Sequence, residues 1–104
     1  MVLIFDIGNT NITAAVFKGS EILFHFRLRT DTHYTEDQYF ASVKAILEKN
    51  TVAPQDIEGC FVGSVVPDLT TVIVRMVEKY FSKTPLLLTA KTRLNITNMY
   101  RNKS

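Results

Sequence analysis

The residues best suited to chemistry stand near the start of the chain, Asp6-Ile7-Gly8-Asn9-Thr10-Asn11, directly after the apolar run Val2-Leu3-Ile4-Phe5. A carboxylate, a glycine, side-chain amides and a hydroxyl at the end of a buried strand are the parts of a phosphate and metal site. Asp6 offers hard oxygens to a divalent cation such as Mg²⁺, directly or through the waters that this ion keeps. Gly8 brings permissive φ/ψ and room for a ligand to approach the main chain. Asn9, Thr10 and Asn11 can meet anionic oxygens. The same residues also suit an Asx-type hairpin turn, for which Asp, Asn and Gly are the usual choices. Spacing alone leaves both readings open.

Other reactive side chains read more plainly. Cys60 is the single cysteine, so there is no intrachain disulfide framework. It lies in an apolar stretch and reads as a small buried hydrophobe. His25 alternates with Phe24 and Phe26 and falls on the exposed face of a strand. His33 reads as loop surface. Ser64 has no His/Asp pattern to make it a nucleophile.

The elements that must position the motif follow from periodicity. Val2–Asp6 reads as a buried strand and Asn11–Phe17 as a second, ended by Lys18-Gly19-Ser20. Glu21–Arg29 alternates, with Ile22, Phe24, Phe26 and Leu28 on one face, as a half-exposed third strand does. Two short turns make these an antiparallel meander. Thr35 and Gln38 form a capping box, and Tyr39, Phe40, Val43, Ile46 and Leu47 then recur at helical spacing up to Asn50. Ile57–Val66 is a near-continuous apolar run, the pattern of a strand buried on both faces. Pro67-Asp68 opens a second helix, with Asp68 as its expected N-cap and a stripe from Leu69 to Phe81. Pro85–Thr89 gives a fifth strand, and residues 90–104 show no clear period. The order β-β-β-α-β-α-β predicts an α/β fold with a mixed five-stranded sheet in one domain, residues 1–104.

Composition fits that reading. Hydrophobic content is 46% and charged content 21%, globular values. The net charge of +2 is too small to argue for nucleic acid. Residues 91–104 carry +4 through Lys91, Arg93, Arg101 and Lys103, which leaves the first 90 residues at net −2. No run approaches the ~20 apolar residues of a membrane helix, and Asp6 interrupts the first apolar run too early for a signal peptide. The expectation is a cytoplasmic protein with neither membrane nor nucleic acid as partner.

The element order resembles the ribonuclease-H-like lobe of the actin, sugar-kinase and Hsp70 group, in which the turn between strands one and two faces ATP phosphates. With the motif in that turn, the chain resembles the N-terminal half of a type III pantothenate kinase. Asp6-Ile-Gly-Asn-Thr-Asn11 matches the family's Asp-x-Gly-Asn-Thr phosphate motif. Phe26-Arg-Leu-Arg-Thr-Asp31 resembles its Trp-Arg-x-Ser-Thr-Asp segment. Thr35-Glu-Asp-Gln38, Gly63-Ser-Val-Val-Pro-Asp-Leu-Thr70, Lys79-Tyr-Phe81 and Leu94-Asn-Ile96 resemble further segments in the same order.

The resemblance implies transfer of the ATP γ-phosphate to pantothenate, the first step of coenzyme A biosynthesis, with Mg²⁺ and a monovalent cation, K⁺ or NH₄⁺. It implies an ATP and phosphate site over Asp6, Ile7, Gly8, Asn9, Thr10, Asn11, Ile12 and Thr13, with Asp6 also the metal residue and Tyr100 at the pantothenate pocket. A homodimer or strand-exchanged oligomer is the implied assembly. The family's general base lies in a Gly-Ala-Asp-Arg segment, which by spacing falls past Ser104, so no catalytic residue is expected within residues 1–104. The second lobe is missing as well, and these residues are not expected to turn over alone. Two other classes stand beside this reading. One is a non-catalytic accessory or regulatory relative acting as a binding module. The other is a ribonuclease-H-like metal nuclease using Asp6, which would need further acids on neighbouring strands; Glu21 and Glu58 are not at the right strand end.

Overall fold

A computed structural model describes residues 1–103, with the side chains of residues 96, 97 and 99–103 outside the description. Strand β1 (Val2–Ile7) is apolar at nearly every position because it is occupied on both edges. It pairs antiparallel with β2 (Asn11–Lys18) and parallel with β4 (Gly59–Ser64). β2 in turn pairs antiparallel with β3 (Glu21–Arg29), and β4 pairs parallel with β5 (Leu86–Leu87). The sheet order is β3-β2-β1-β4-β5; the predicted succession of strands and helices is broadly observed up to β5, with a short 3-10 turn at Pro54–Asp56 and a further helix after β5 added to it. Between β2 and β3 the chain reverses at Gly19, whose φ of +63° strains any side-chain-bearing residue.

Helices α1 (Glu36–Lys49) and α2 (Pro67–Phe81) cover one face of this sheet. Alternation explains which residues they meet: Leu3, Phe5 and Ile7 of β1 and Ile12, Ala14 and Val16 of β2 turn to the helices and are fully buried. Tyr39, Val43 and Leu47 of α1 and Leu69, Ile73, Met76 and Val77 of α2 close the core at the expected helical spacing. Each such side chain contributes about 1.5–3 kcal/mol by leaving water. The helices are joined beyond the sheet as well. Phe40 stacks on Tyr80 with ring centroids 3.9 Å apart, and both Lys79 and Tyr80 donate to the Asp37 carboxylate.

The capping box forms as expected: Thr35 Oγ1 accepts from the Gln38 N–H at 3.2 Å, and Gln38 Oε1 accepts from the Thr35 N–H at 2.9 Å. Three expectations need correction. Asp68 is not the N-cap of α2; Val66 is, because Pro67 takes the first helical turn, where its missing N–H costs nothing. The fifth strand shrinks from Pro85–Thr89 to Leu86–Leu87, since it pairs only with Phe61 and Val62 at the sheet edge. Residues 90–104, read as aperiodic, contain helix α3 (Ala90–Lys103). Its start is set by Thr89, whose Oγ1 accepts from the Thr92 N–H at 3.2 Å.

Candidate phosphate and metal site

The motif lies where β1 ends and β2 begins, at the mouth of the sheet. Asp6 follows the fully buried Phe5 and precedes the fully buried Ile7, so the pleat turns its carboxylate to the face that α1 and α2 do not cover. On that face its neighbours are Thr13 of β2 and Gly63 of β4. Gly63 has no side chain to fill the space beside Asp6, and Arg93 of α3 fills it instead. A Cβ built on Gly63 would meet the Arg93 side chain at 3.2–3.3 Å. The Arg93 guanidinium forms an ion pair through Nε with Asp6 Oδ1. Both groups are well withdrawn from water, with side-chain exposures of 22% for Arg93 and 11% for Asp6.

The turn itself is short. Gly8 N–H donates to the Asn11 carbonyl at 2.9 Å, and Asn9 and Thr10 are exposed between them. Among non-glycine residues φ is positive at Thr51 and Ser82, and among glycines at Gly19, so Gly8 does not use left-handed backbone. The dihedral part of the reason expected for Gly8 is thereby corrected; what its missing side chain spares is a tight contact, since a Cβ there would stand 3.1 Å from the Asn11 carbonyl oxygen. Thr30, just past β3, braces the turn. Its Oγ1 donates to the Gly8 carbonyl at 2.8 Å, and its N–H donates to the Thr10 carbonyl at 2.9 Å.

Of the expected phosphate residues, the structure brings Asp6, Gly8, Asn9, Thr10 and Asn11 together at one strand end, with Thr13 half-buried beside Asp6. It removes the side chains of Ile7 and Ile12, which pair with each other and are fully buried in the helix-side core. Their side chains belong to the core, which leaves only their backbone to face the turn. The side chain of Tyr100 lies outside the described residues. Ser64 Oγ accepts from the Val66 N–H at 2.9 Å and donates to the Val66 carbonyl at 3.1 Å, so it shapes the β4–α2 turn. His25 is on the exposed face of β3, and Cys60 is buried in β4, where desolvation pushes its thiol up to about 12.

Two site residues escaped sequence reading. Thr30 was visible only as part of a segment, and its spacing to Gly8 carries no local signal. Arg93 sits in a stretch without amphipathic period; the one clue was a glycine, Gly63, inside an apolar strand, which marks a close approach.

Chemically, the arrangement holds one carboxylate beside a turn rich in amide and hydroxyl groups. Among the described residues no three His, Cys, Asp or Glu side chains gather as a metal cluster. That suits Mg²⁺, which is held by one or two carboxylates, phosphate oxygens and water, better than an all-protein cage. In this structure the Arg93 guanidinium holds that carboxylate, so a cation at Asp6 would share it with the arginine or displace it. Beyond the end of β4, the exposed Val65 and Leu87 flank an open cleft of about 540 Å³ that Pro67, Thr70 and Val74 also line. Among the described residues no helix is long and apolar enough to cross a membrane.

A family model described as type III pantothenate kinase matches residues 2–104. The chain is 39% identical over 100 residues to a type III pantothenate kinase of Finegoldia magna, an alignment that covers 96% of this chain and 38% of that relative. The fold is similar to that of a ROK hexokinase from Thermus thermophilus, with a TM-score of 0.62 and 20% identity over 84% of this chain and 34% of the other. It is likewise similar to a Porphyromonas gingivalis protein provisionally assigned as an N-acetylglucosamine kinase, with a TM-score of 0.60 and 13% identity over the same shares. At such identities these two likenesses concern the fold alone. The chain spans about two fifths of the length of its Finegoldia relative.

Proposed function

The chain belongs to the type III pantothenate kinase family, and from that premise we propose that its turn Gly8–Asn11, with Asp6, grips the phosphates of ATP during transfer of the γ-phosphate to pantothenate. The observation that carries this is the placement of Asp6. It is withdrawn from water at the end of the central strand, beside side-chain-free Gly63 and next to an exposed turn of Asn9 and Thr10. Asp6 would hold a divalent cation, directly or through water. When bound, that ion would neutralise charge on the phosphate oxygens. Gly8 keeps the turn tight, and the side chains of Asn9, Thr10 and Asn11 provide donors that orient the phosphates. Positioning and charge stabilisation supply most of the catalysis in phosphoryl transfer, so a lobe that only grips and orients contributes to rate.

The rest of the reading extends to the longer kin. The general base, a K⁺ or NH₄⁺ site and most of the pantothenate pocket, bordered by Tyr100, would come from outside the described residues. The exposed apolar side chains Val65, Leu86, Leu87 and Leu94 support a further surface covering this lobe, in a homodimer of a cytoplasmic enzyme. A second reading, a non-catalytic binding module, is favoured by one observation: Arg93 already engages Asp6. A nuclease would need several converging acids, and none gather with Asp6 among the described residues.

Calorimetric titration of the 104-residue chain with Mg·ATP, beside Asp6→Ala, tests the grip. Binding by the wild type that is lost in the variant is expected. Equal binding by both would move the phosphate site away from Asp6. A coupled assay with pantothenate, ATP, Mg²⁺ and NH₄⁺ separates kinase from binding module when run on a full-length member carrying the Asp6→Ala change.

A further inference from the structure

We infer that Thr30 and Tyr39 are positioning residues of the phosphate turn, acting as a two-step brace from helix α1 to the Gly8–Thr10 backbone; the inference rests on the phosphate reading above. Neither residue belongs to the Asp-x-Gly-Asn-Thr motif, and Tyr39 is remote from it in sequence.

The first step is Thr30. Its hydroxyl holds the Gly8 carbonyl at 2.8 Å and its N–H holds the Thr10 carbonyl at 2.9 Å. A phosphate-gripping turn needs this because carbonyl oxygens repel anions while N–H groups attract them. A trans peptide sets its N–H opposite its C=O. Fixing the Gly8 carbonyl toward Thr30 therefore directs the Asn9 N–H away from Thr30. The turn's own Gly8-to-Asn11 bond fixes neither carbonyl. Thr30 is β-branched and stiff at χ1, which keeps its hydroxyl aimed.

The second step is Tyr39. Its ring is fully buried in the core of α1, at 1% exposure, and its hydroxyl reaches the backbone of Asp31. It accepts from the Asp31 N–H at 2.8 Å and donates to the Asp31 carbonyl at 2.7 Å, so one side chain satisfies both backbone groups of the residue after Thr30. Asp31 is tied further: its carboxylate accepts from the His33 N–H at 2.9 Å. Burial raises the phenol's pKa from its ordinary value, which further favours the protonated, donating hydroxyl. The β3–α1 connection is thus anchored to the core, and Thr30 works from a fixed base.

The test compares wild type, Thr30→Val, Thr30→Ser and Tyr39→Phe in the 104-residue chain by two readouts. Amide hydrogen exchange reports the turn without ligand, and Mg·ATP titration reports its use. Valine keeps the shape of threonine and the backbone bond but loses the hydroxyl. Loss of one such bond, net 0.5–1.5 kcal/mol, corresponds to about 2–12-fold. Thr30→Val should weaken Mg·ATP binding and speed Gly8 amide exchange by factors in that range, leaving the Phe5 amide unchanged. Thr30→Ser should restore both to within about 2-fold, which no general packing defect would do. Tyr39→Phe should move both readouts in the same direction as Thr30→Val.

If wild type binds Mg·ATP and Thr30→Val binds it as tightly, the positioning role is overturned while the phosphate reading stands. Unchanged Gly8 exchange in Thr30→Val overturns the brace whatever the nucleotide does. If wild type shows no affinity for Mg·ATP, the phosphate reading fails and the inference falls with it, a result distinguishable from the other two by the wild-type titration alone.

Discussion

Arg93→Ala is the perturbation that most directly probes the environment of Asp6. Both side chains of this ion pair are largely shielded, at 22% and 11% exposure, so screening removes only part of the interaction. Taking one partner from a buried pair costs about 3–5 kcal/mol when the other charge stays buried. Here the arginine is itself the cover, lying across Gly63, and its removal lets water reach Asp6. The expected loss is therefore smaller, about 1.5–3 kcal/mol, the range of a hydrogen bond to a charged group. At about 4–8 °C per kcal/mol for a domain of this size, the melting temperature should fall by roughly 6–24 °C. Urea denaturation of wild type, Arg93→Ala, Asp6→Asn and the double variant gives the coupling directly. A coupling of about 1 kcal/mol or more is expected, and one below about 0.5 kcal/mol would refute the pair as a source of stability. Mg²⁺ adds a second arm. If the cation and the guanidinium compete for the same carboxylate, Mg²⁺ should stabilise Arg93→Ala more than wild type by mass action. Equal stabilisation of both chains would refute the competition.

Three further outcomes can be checked on the same material. Cys60, with its thiol pushed to about 12 and its side chain buried, should carry only about one thiolate in 10⁴ at pH 8, against about one in four for an ordinary thiol; disulfide-exchange labelling should be slow in the folded chain and rapid in urea, and fast stoichiometric labelling without denaturant would contradict the burial. Lys79 and Tyr80 hold the exposed Asp37 carboxyl below 3.8, and Asp37 holds the Lys79 ammonium above 10.5, so the acid's contribution is present above pH 3.8 and lost as pH falls through its lowered value, while the lysine's is present below 10.5 and lost as pH rises through its raised value. Asp37→Asn should therefore be slightly less stable than wild type between these limits and converge with it at the acid end of a pH-dependent melt. Leu47→Ala, at a fully buried position of α1, should cost about 2–5 kcal/mol in urea denaturation.

What the sequence disclosed and what it hid divide along one physical line. The β1–β2–β3 meander, the Thr35–Gln38 capping box and the stripes of α1 and α2 were legible because their signals are local: alternation, a four-residue box and helical spacing. Asp6 and its turn were legible for the same reason. Arg93 was not, because its contact with Asp6 joins residues far apart in the chain through a helix whose Thr- and Asn-rich composition shows no apolar face. The extent of β5 depended on how much of β4 remained to pair, which no pattern within residues 85–89 could state. Gly8 was expected to bring dihedral freedom as well as room, and of the two only crowding is seen, against the neighbouring Asn11 carbonyl. Ile7 and Ile12 fell inside a functional motif by position while serving the core by orientation.

The parallel pairing of β1 with β4 has a consequence for the order of events during synthesis. Val2 lies opposite Gly59 and Ile7 opposite Ser64, so β1 leaves the ribosome well before its β4 partner and waits while β2, β3 and α1 are made. β2 and β3 can fold back on it at once, since hairpins close quickly. The other edge of β1 then stays open, an apolar template without a cover, through the emergence of the whole of α1. Such an edge is prone to pair with another chain. Expression conditions that slow elongation late in the message would lengthen this exposure, and a holdase that binds extended apolar segments would find its target at Val2–Phe5 in the nascent chain, not in the finished fold.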